Sequence, residues 1–183
     1  MHVVVQALHE LDVPVVAVTD FDVLNEETSL RRIVEAFKAD WEILKSDWHA
    51  IKVAIEGKKP ELSTTEVSTE IKKLLDEASL SSIFPESTKK KIQEVLRRAS
   101  PWAIVKEAGK SAVPNGQPTQ ACDRLLEALR RIGIYVVAVG QLESFARSVG
   151  GHGPSWVNQV LTKDLKRDLE LQAAREFVTS FTT

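Results

Sequence analysis

Apolar residues recur along the chain with two different periods, and the change of period marks its elements. Residues 2–11 carry Val4, Leu8 and Leu11 at i, i+4 and i+7, a short helix face, although Val3-Val4-Val5 would also suit a strand. Asp12-Val13-Pro14 breaks that segment and delivers the chain into residues 15–19, a small apolar run that reads as a buried strand. Asn25-Glu26-Glu27 reads as loop, after which Thr28 or Ser29 can cap a helix with Leu30, Ile33, Val34 and Phe37 on one face. Trp41, Leu44, Trp48, Ile51 and Ile55 continue at helical spacing up to Gly57, and these tryptophans read as core. After the polar Lys58-Lys59-Pro60, helices are expected at 64–78 and 88–99, separated by Ser-rich sequence and Phe84-Pro85 and ended by Ser100-Pro101.

Residues 109–118 form a loop, with Pro118 suited to the first turn of a helix that presents Ala121, Leu125, Leu126 and Leu129 and closes at Gly133. Residues 134–139 are the second apolar, β-branched strand, with Gly140-Gln141-Leu142-Glu143 at its end. A short helix, the loop Gly150-Gly151-His152-Gly153 and a last helix from Pro154 to about Phe177 complete the pattern. The predicted class is α/β, a parallel sheet flanked by helices, with a large all-helical insertion over 28–110 between the two recognisable strands. Two strands alone do not make a stable parallel sheet covered on both faces. The expectation is therefore one partial domain over 1–183, its N-terminal strands missing or supplied by a partner chain.

Composition narrows the function classes only modestly. The 183 residues have a formal charge of −2, so binding to nucleic acid requires a local patch rather than a global field. Cys122 is the single cysteine, which excludes an internal disulfide and a cysteine-based zinc cluster and fits a reducing compartment. His2, His9, His49 and His152 lack metal-ligand spacing. No membrane-length apolar stretch and no basic-then-apolar leader pattern occur, so the expected location is the cytoplasm, away from membranes.

The chemistry concentrates at the strand ends. Asp20 and Asp22 follow the first strand and share a face if its geometry continues. Two carboxylates on one face repel unless a cation lies between them, and their oxygens suit Mg²⁺ or Mn²⁺. Read alone, the pair is equally a turn cap and a solvated acid. Glu143 lies just past the second strand, where it is also a first-turn helix acid favoured by the dipole. If the strands are neighbours, the three acids converge at the sheet edge where open α/β folds bind ligands. Between residues 88 and 110, Lys89, Lys90, Lys91, Arg97, Arg98, Lys106 and Lys110 face only Glu94 and Glu107, a local charge of +5. Such a cluster either tracks a phosphate backbone or is a solvated face. Lys106 ends the run Trp102-Ala103-Ile104-Val105 and is placed to meet a phosphoryl oxygen.

Taken in order, these motifs resemble the carboxyl-terminal part of the Toprim nuclease domain of OLD-type (overcoming-lysogenization-defect) ATP-dependent endonucleases. The carrying residues are Val15–Asp22 with Phe21 between the aspartates, Ser100-Pro101-Trp102 leading to Lys106 and Gly109, and Gly133 through Glu143, within a resemblance spanning roughly residues 3–178. The resemblance implies Mg²⁺- or Mn²⁺-dependent nicking or cleavage of DNA in phage defence, with a two-metal site. Asp20, Asp22 and Glu143 would be ligands, and Lys106, or less aptly Lys163, would support the transition state. Lys89, Lys90, Lys91, Arg97, Arg98 and Lys110 would meet DNA. The family's essential glutamate on an earlier strand has no counterpart, since Glu10 precedes the Asp-x-Asp strand on a helix. No Gly-x-x-x-x-Gly-Lys-Ser/Thr loop occurs, so ATP would act only through an ATPase domain absent from this chain.

Two other readings compete. A haloacid-dehalogenase-like phosphohydrolase also runs an apolar strand into Asp-x-Asp, with Asp20 as nucleophile and Asp22 as general acid. The sequence Val23-Leu24-Asn25 departs from that family's usual small-Thr-Leu, and no apolar strand ending in Ser or Thr follows before residue 100. A non-catalytic Toprim-like interaction module, paired through an open sheet edge or as a homodimer, is the third.

Overall fold

A computed structural model describes residues 1–79 and 81–182; Leu80, within the expected Ser-rich connection, and Thr183 lie outside them. The protein is mixed α/β and mostly helical, built on a two-stranded parallel sheet. Strand β1 (Ala17–Asp20) pairs with β2 (Ile134–Val137) in the register Ala17↔Ile134 through Asp20↔Val137. The helices are α1 (His2–Glu10), α2 (Glu27–Ala36), α3 (Trp41–Glu56), α4 (Thr64–Ala78), α5 (Glu86–Arg98), α6 (Pro101–Ala108), α7 (Gln117–Arg131), α8 (Pro154–Val160) and α9 (Gln172–Thr182). Among the described residues no helix is long and apolar enough to cross a membrane.

Alternation along the strands gives the sheet two unlike faces. Ala17, Thr19, Ile134 and Val136 turn to the main core and are buried. The opposite face is reached by α9, where Tyr135 and Phe181 meet edge to face with ring centroids 5.1 Å apart. The main core gathers the apolar stripes of α2, α3, α6 and α7: Leu30 and Val34, Trp48 and Ile51, Trp102 and Val105, Leu125 and Leu129. All five α3 positions expected at the core are buried. Cys122 is fully buried beside them, and burial pushes its thiol up to about 12, so it packs as a neutral small hydrophobe.

Among the described residues the regular structure of the 28–110 segment is all helical, but its packing divides it. Helices α2, α3 and α6 supply half of the main core, because their wide apolar stripes have to be buried against something. Only α4 and α5 stand apart, burying just Ala78, Thr88 and Val95 between them. A capping box opens α4, Ser63 and Glu66 exchanging side-chain and backbone hydrogen bonds.

Other departures from the sequence pattern have local causes. On α1 the buried residue is Val5, whereas Val4 and Leu11 are exposed. The helix docks through the face of Val5 and His9, whose ring lies 2.9 Å from the Ala36 carbonyl oxygen and stacks edge-on against Phe37. Helix α2 begins after Glu26 without a side-chain cap, so Thr28 and Ser29 fall inside it. Residues 102–106 are helical, so Lys106 projects from α6, where Ser100 caps the helix start through the Trp102 amide. The expected single helix from Pro154 to Phe177 is broken. Asp164 accepts hydrogen bonds from the Lys166 and Arg167 amides, and Asp168 accepts one from Glu170, drawing the backbone out of helical pairing.

Lys163 then binds Asp168 at 3.0 Å and Glu170 at 2.6 Å. Glu170 also accepts from the Ser148 amide at 2.8 Å, tying the break to the loop after β2. These partners hold the Glu170 carboxyl down at about 2.

The β2 strand stops at Val137 because the chain is captured from the side. Lys110 donates its amide to the Ala138 carbonyl at 2.8 Å, and Phe21 donates to Gly140 at 2.7 Å. Here the main chains of Gly109 and Gly140 touch. A Cβ on Gly109, whose φ is +57°, would lie 2.1 Å from the Ala138 oxygen; one on Gly140 would lie 2.4 Å from the Lys106 oxygen. Gly109→Ala is expected to cost about 3 kcal/mol through strain and displaced backbone and to lower Tm by roughly 10 °C, measured by thermal unfolding.

Candidate functional site

The site grows from what happens at the ends of the two strands. Phe21 is fully buried, and the chain leaves β1 through a tight 3-10 turn, Phe21–Asn25. Strand alternation therefore ends at Asp20, and the turn rather than the pleat carries Asp22 round to the same recess. That turn is held from below. The Trp48 indole donates to the Leu24 carbonyl at 2.8 Å and Lys52 donates to the Asn25 carbonyl at the same distance. A second 3-10 turn, Leu142–Phe145, follows β2 and carries Glu143. Asp20 joins the two turns by accepting the Leu142 amide at 3.1 Å.

Asp20, Asp22, Glu143 and Lys106 line one recess of about 710 Å³ at the carboxyl end of the strands. Its far wall is α5 and α6, which bring Glu94, Arg97, Ser100, Trp102 and Glu107. Burial raises the Asp20 carboxyl above its ordinary 3.8, and the negative charges of Asp22 and Glu143 add to this, against the Leu142 amide and Lys106. Lys106 stands 3.5 Å from Asp22. Glu143 behaves oppositely. The Gly153 amide, donating at 3.1 Å, and His152, 3.7 Å away, hold its carboxyl below the usual range.

The structure thus brings the three expected acids and Lys106 together, but the basic cluster scatters. Arg97 alone of the other basic residues lines the recess, clamped by Glu94 and Glu107 at 2.7 Å each. Arg98 turns away to Glu61 at 2.6 Å and Glu70 at 3.6 Å. Lys110 pairs with Asp123, and Lys89 with Glu86 at 3.7 Å. Lys90 and Lys91 are exposed on α5. Lys163 belongs to the cluster under the broken C-terminal helix and does not line the recess.

Sequence reasoning left out the wall itself. Asn25, Glu94, Ser100, Trp102, Glu107, Gln141 and His152 reach the recess from five separate stretches of chain, and no spacing in the sequence joins them. Trp102 is 6% exposed, and its buried indole N–H has no hydrogen-bond partner among the described residues.

Among the described residues no three His, Cys, Asp or Glu side chains form a ready-made cation cage. Each acid is instead engaged: Asp20 by an amide, Asp22 by Lys106, Glu143 by the Gly153 loop. The donor set is nonetheless all carboxylate oxygen, and the mutual repulsion that helps raise Asp20 is what a hard cation would relieve. Comparison of the chain with protein-family models, curated proteins and solved structures finds no significant match.

A raised carboxylate pKa in the fold contributes stability that is present below its unfolded value and lost as pH rises through the folded value. Asp20→Asn keeps the acceptor for Leu142 and removes that loss. The variant is expected to melt about 1–2 °C above the unsubstituted protein at pH 7–8. The gap should close as pH falls below 3.8, followed by Tm against pH.

Proposed function

We propose that the recess hydrolyses phosphodiester bonds of DNA with the help of divalent Mg²⁺ or Mn²⁺, as a Toprim-like nuclease domain working with an ATPase domain or partner chain. The observation that supports this is the meeting of Asp20, Asp22 and Glu143 with Lys106 in one recess at the strand ends. Asp20 and Asp22 would hold the cation, and Glu143 would join them once released from the Gly153 amide. The cation would supply Lewis acidity and a more acidic water. Lys106, leaving Asp22, would place its ammonium on a non-bridging phosphate oxygen and offset the charge that builds there. The Lys106–Asp22 pair keeps that ammonium at the recess before substrate arrives.

The phosphohydrolase reading would use the same aspartates on a monoester. Within the recess, Arg97 and Lys106 face five carboxylates (Asp20, Asp22, Glu94, Glu107 and Glu143), a formal charge of −3. With one divalent cation held there the recess would still carry −1, so a doubly charged monoester would meet more repulsion than a singly charged diester, which favours the diester.

Hydrolysis of bis(p-nitrophenyl) phosphate and nicking of supercoiled plasmid, each with Mg²⁺ and with Mn²⁺, test the reading. Activity is expected to fall at least about 100-fold in Asp20→Asn and Asp22→Asn, with p-nitrophenyl phosphate a poor substrate throughout. Preference for the monoester would move the assignment to a phosphohydrolase. Inactivity toward both diesters would overturn it.

A further inference from the structure

We infer that the recess takes an unpaired nucleotide, with the adjoining single strand running along α5 toward Lys90, and does not take a phosphate within an intact duplex. This rests on the phosphodiester reading above and names its substrate class.

The first argument is shape. The three acids lie in a recess of about 710 Å³, walled on one side by the strand ends and on the other by α5 and α6. That volume is in the range of pockets that enclose a small ligand. A duplex instead offers its phosphates on a convex surface, each flanked by neighbours, and the wall would meet those neighbours first. That wall carries Arg97 held between Glu94 and Glu107, at 2.7 Å from each. An unpaired nucleotide reaches past the wall into the recess, its backbone passing Arg97 on α5.

The second argument is the direction in which positive charge continues. Lys90, Glu94 and Arg97 stand at i, i+4 and i+7 on α5 and share one face of it. Glu94 and Arg97 line the recess, so Lys90 lies one turn beyond it, about 6 Å further along the helix axis. Lys90 is exposed and makes no ion pair among the described residues, unlike Lys89, Arg97, Arg98 and Lys110. One uncommitted cation in line with the recess matches a narrow polyanion that tracks a groove. A duplex needs a broad basic surface, and the ion pairs of Lys89, Arg97, Arg98 and Lys110 reduce the cluster to Lys90 and its neighbour Lys91. Ser100, Asn25 and Gln141 add neutral hydrogen-bonding groups inside the recess that suit a base or sugar released from pairing.

The test is fluorescence anisotropy of a labelled twenty-residue oligothymidine and of a blunt ten-base-pair hairpin closed by a non-nucleotide linker, of equal phosphate number, with Ca²⁺ as a non-catalytic cation. The single strand should bind at least about tenfold more tightly. Lys90→Glu should weaken that binding about tenfold, and Lys90→Ala should lower the slope against log salt by about one. Both variants should melt within about 2 °C of the unsubstituted protein, which shows that they fold. Equal or tighter binding of the hairpin, or single-strand binding indifferent to Lys90, overturns the inference and leaves the phosphodiester reading standing. Single-strand binding indifferent to Ca²⁺, together with inactivity of the unsubstituted protein on the small diester, overturns both.

Discussion

The close apposition of two glycine backbones fixes everything that surrounds the site. At Gly109 and Gly140 the chain leaving α6 and the chain leaving β2 touch with no space for a side-chain carbon on either. From that point the Ala138 carbonyl accepts the Lys110 amide, and the Gly140 carbonyl accepts Phe21 at the end of β1. Three segments distant in sequence are thereby joined by main chain alone. Lys106, three residues before Gly109, is carried to the strand ends by this junction rather than by any attraction of its own charge. Its meeting with Asp22 follows from the backbone, and the 3.5 Å pair refines the position.

The acids hold themselves apart in electrostatic character. Asp20 is buried among like charges and pushed toward its neutral form, whereas Glu143 is drawn toward its charged form by the Gly153 amide and by His152. Neighbouring carboxylates with opposed tendencies are a recurrent property of sites that bind cations or move protons. A structural cluster has no such division: Lys163, Asp168 and Glu170 satisfy one another and depress both acids. The contrast separates the recess from the rest of the polar surface.

Much of the scaffold was legible in sequence because it depends on local rules. The α3 stripe from Trp41 to Ile55, the Ser63–Glu66 cap and the two apolar strands all declare themselves by spacing. The acids at the strand ends were legible for the same reason. What escaped depends on partners remote in the chain. Nothing local to Lys106 shows that it leaves a helix near Gly140, and the break at Asp164 and Asp168 depends on side chains capturing amides. Within the basic run, Arg98 and Lys110 are paired by Glu61, Glu70 and Asp123, far away in sequence but near in space, and no local spacing shows it.

The sparse burial of α4 and α5 has a consequence for motion. These helices are held by Ala78, Thr88, Val95 and a few surface ion pairs, while the core of Trp48, Ile51 and Leu125 lies elsewhere. A unit attached so lightly opens without unfolding the remainder, as the least stable cooperative segments of proteins do. Because α5 is also one wall of the recess, each such opening widens the cleft while Asp20 and Glu143 stay anchored to the sheet. The floor of the recess and its α5 wall thus belong to different layers of stability, and the amides of α5 should exchange with solvent long before those of β1.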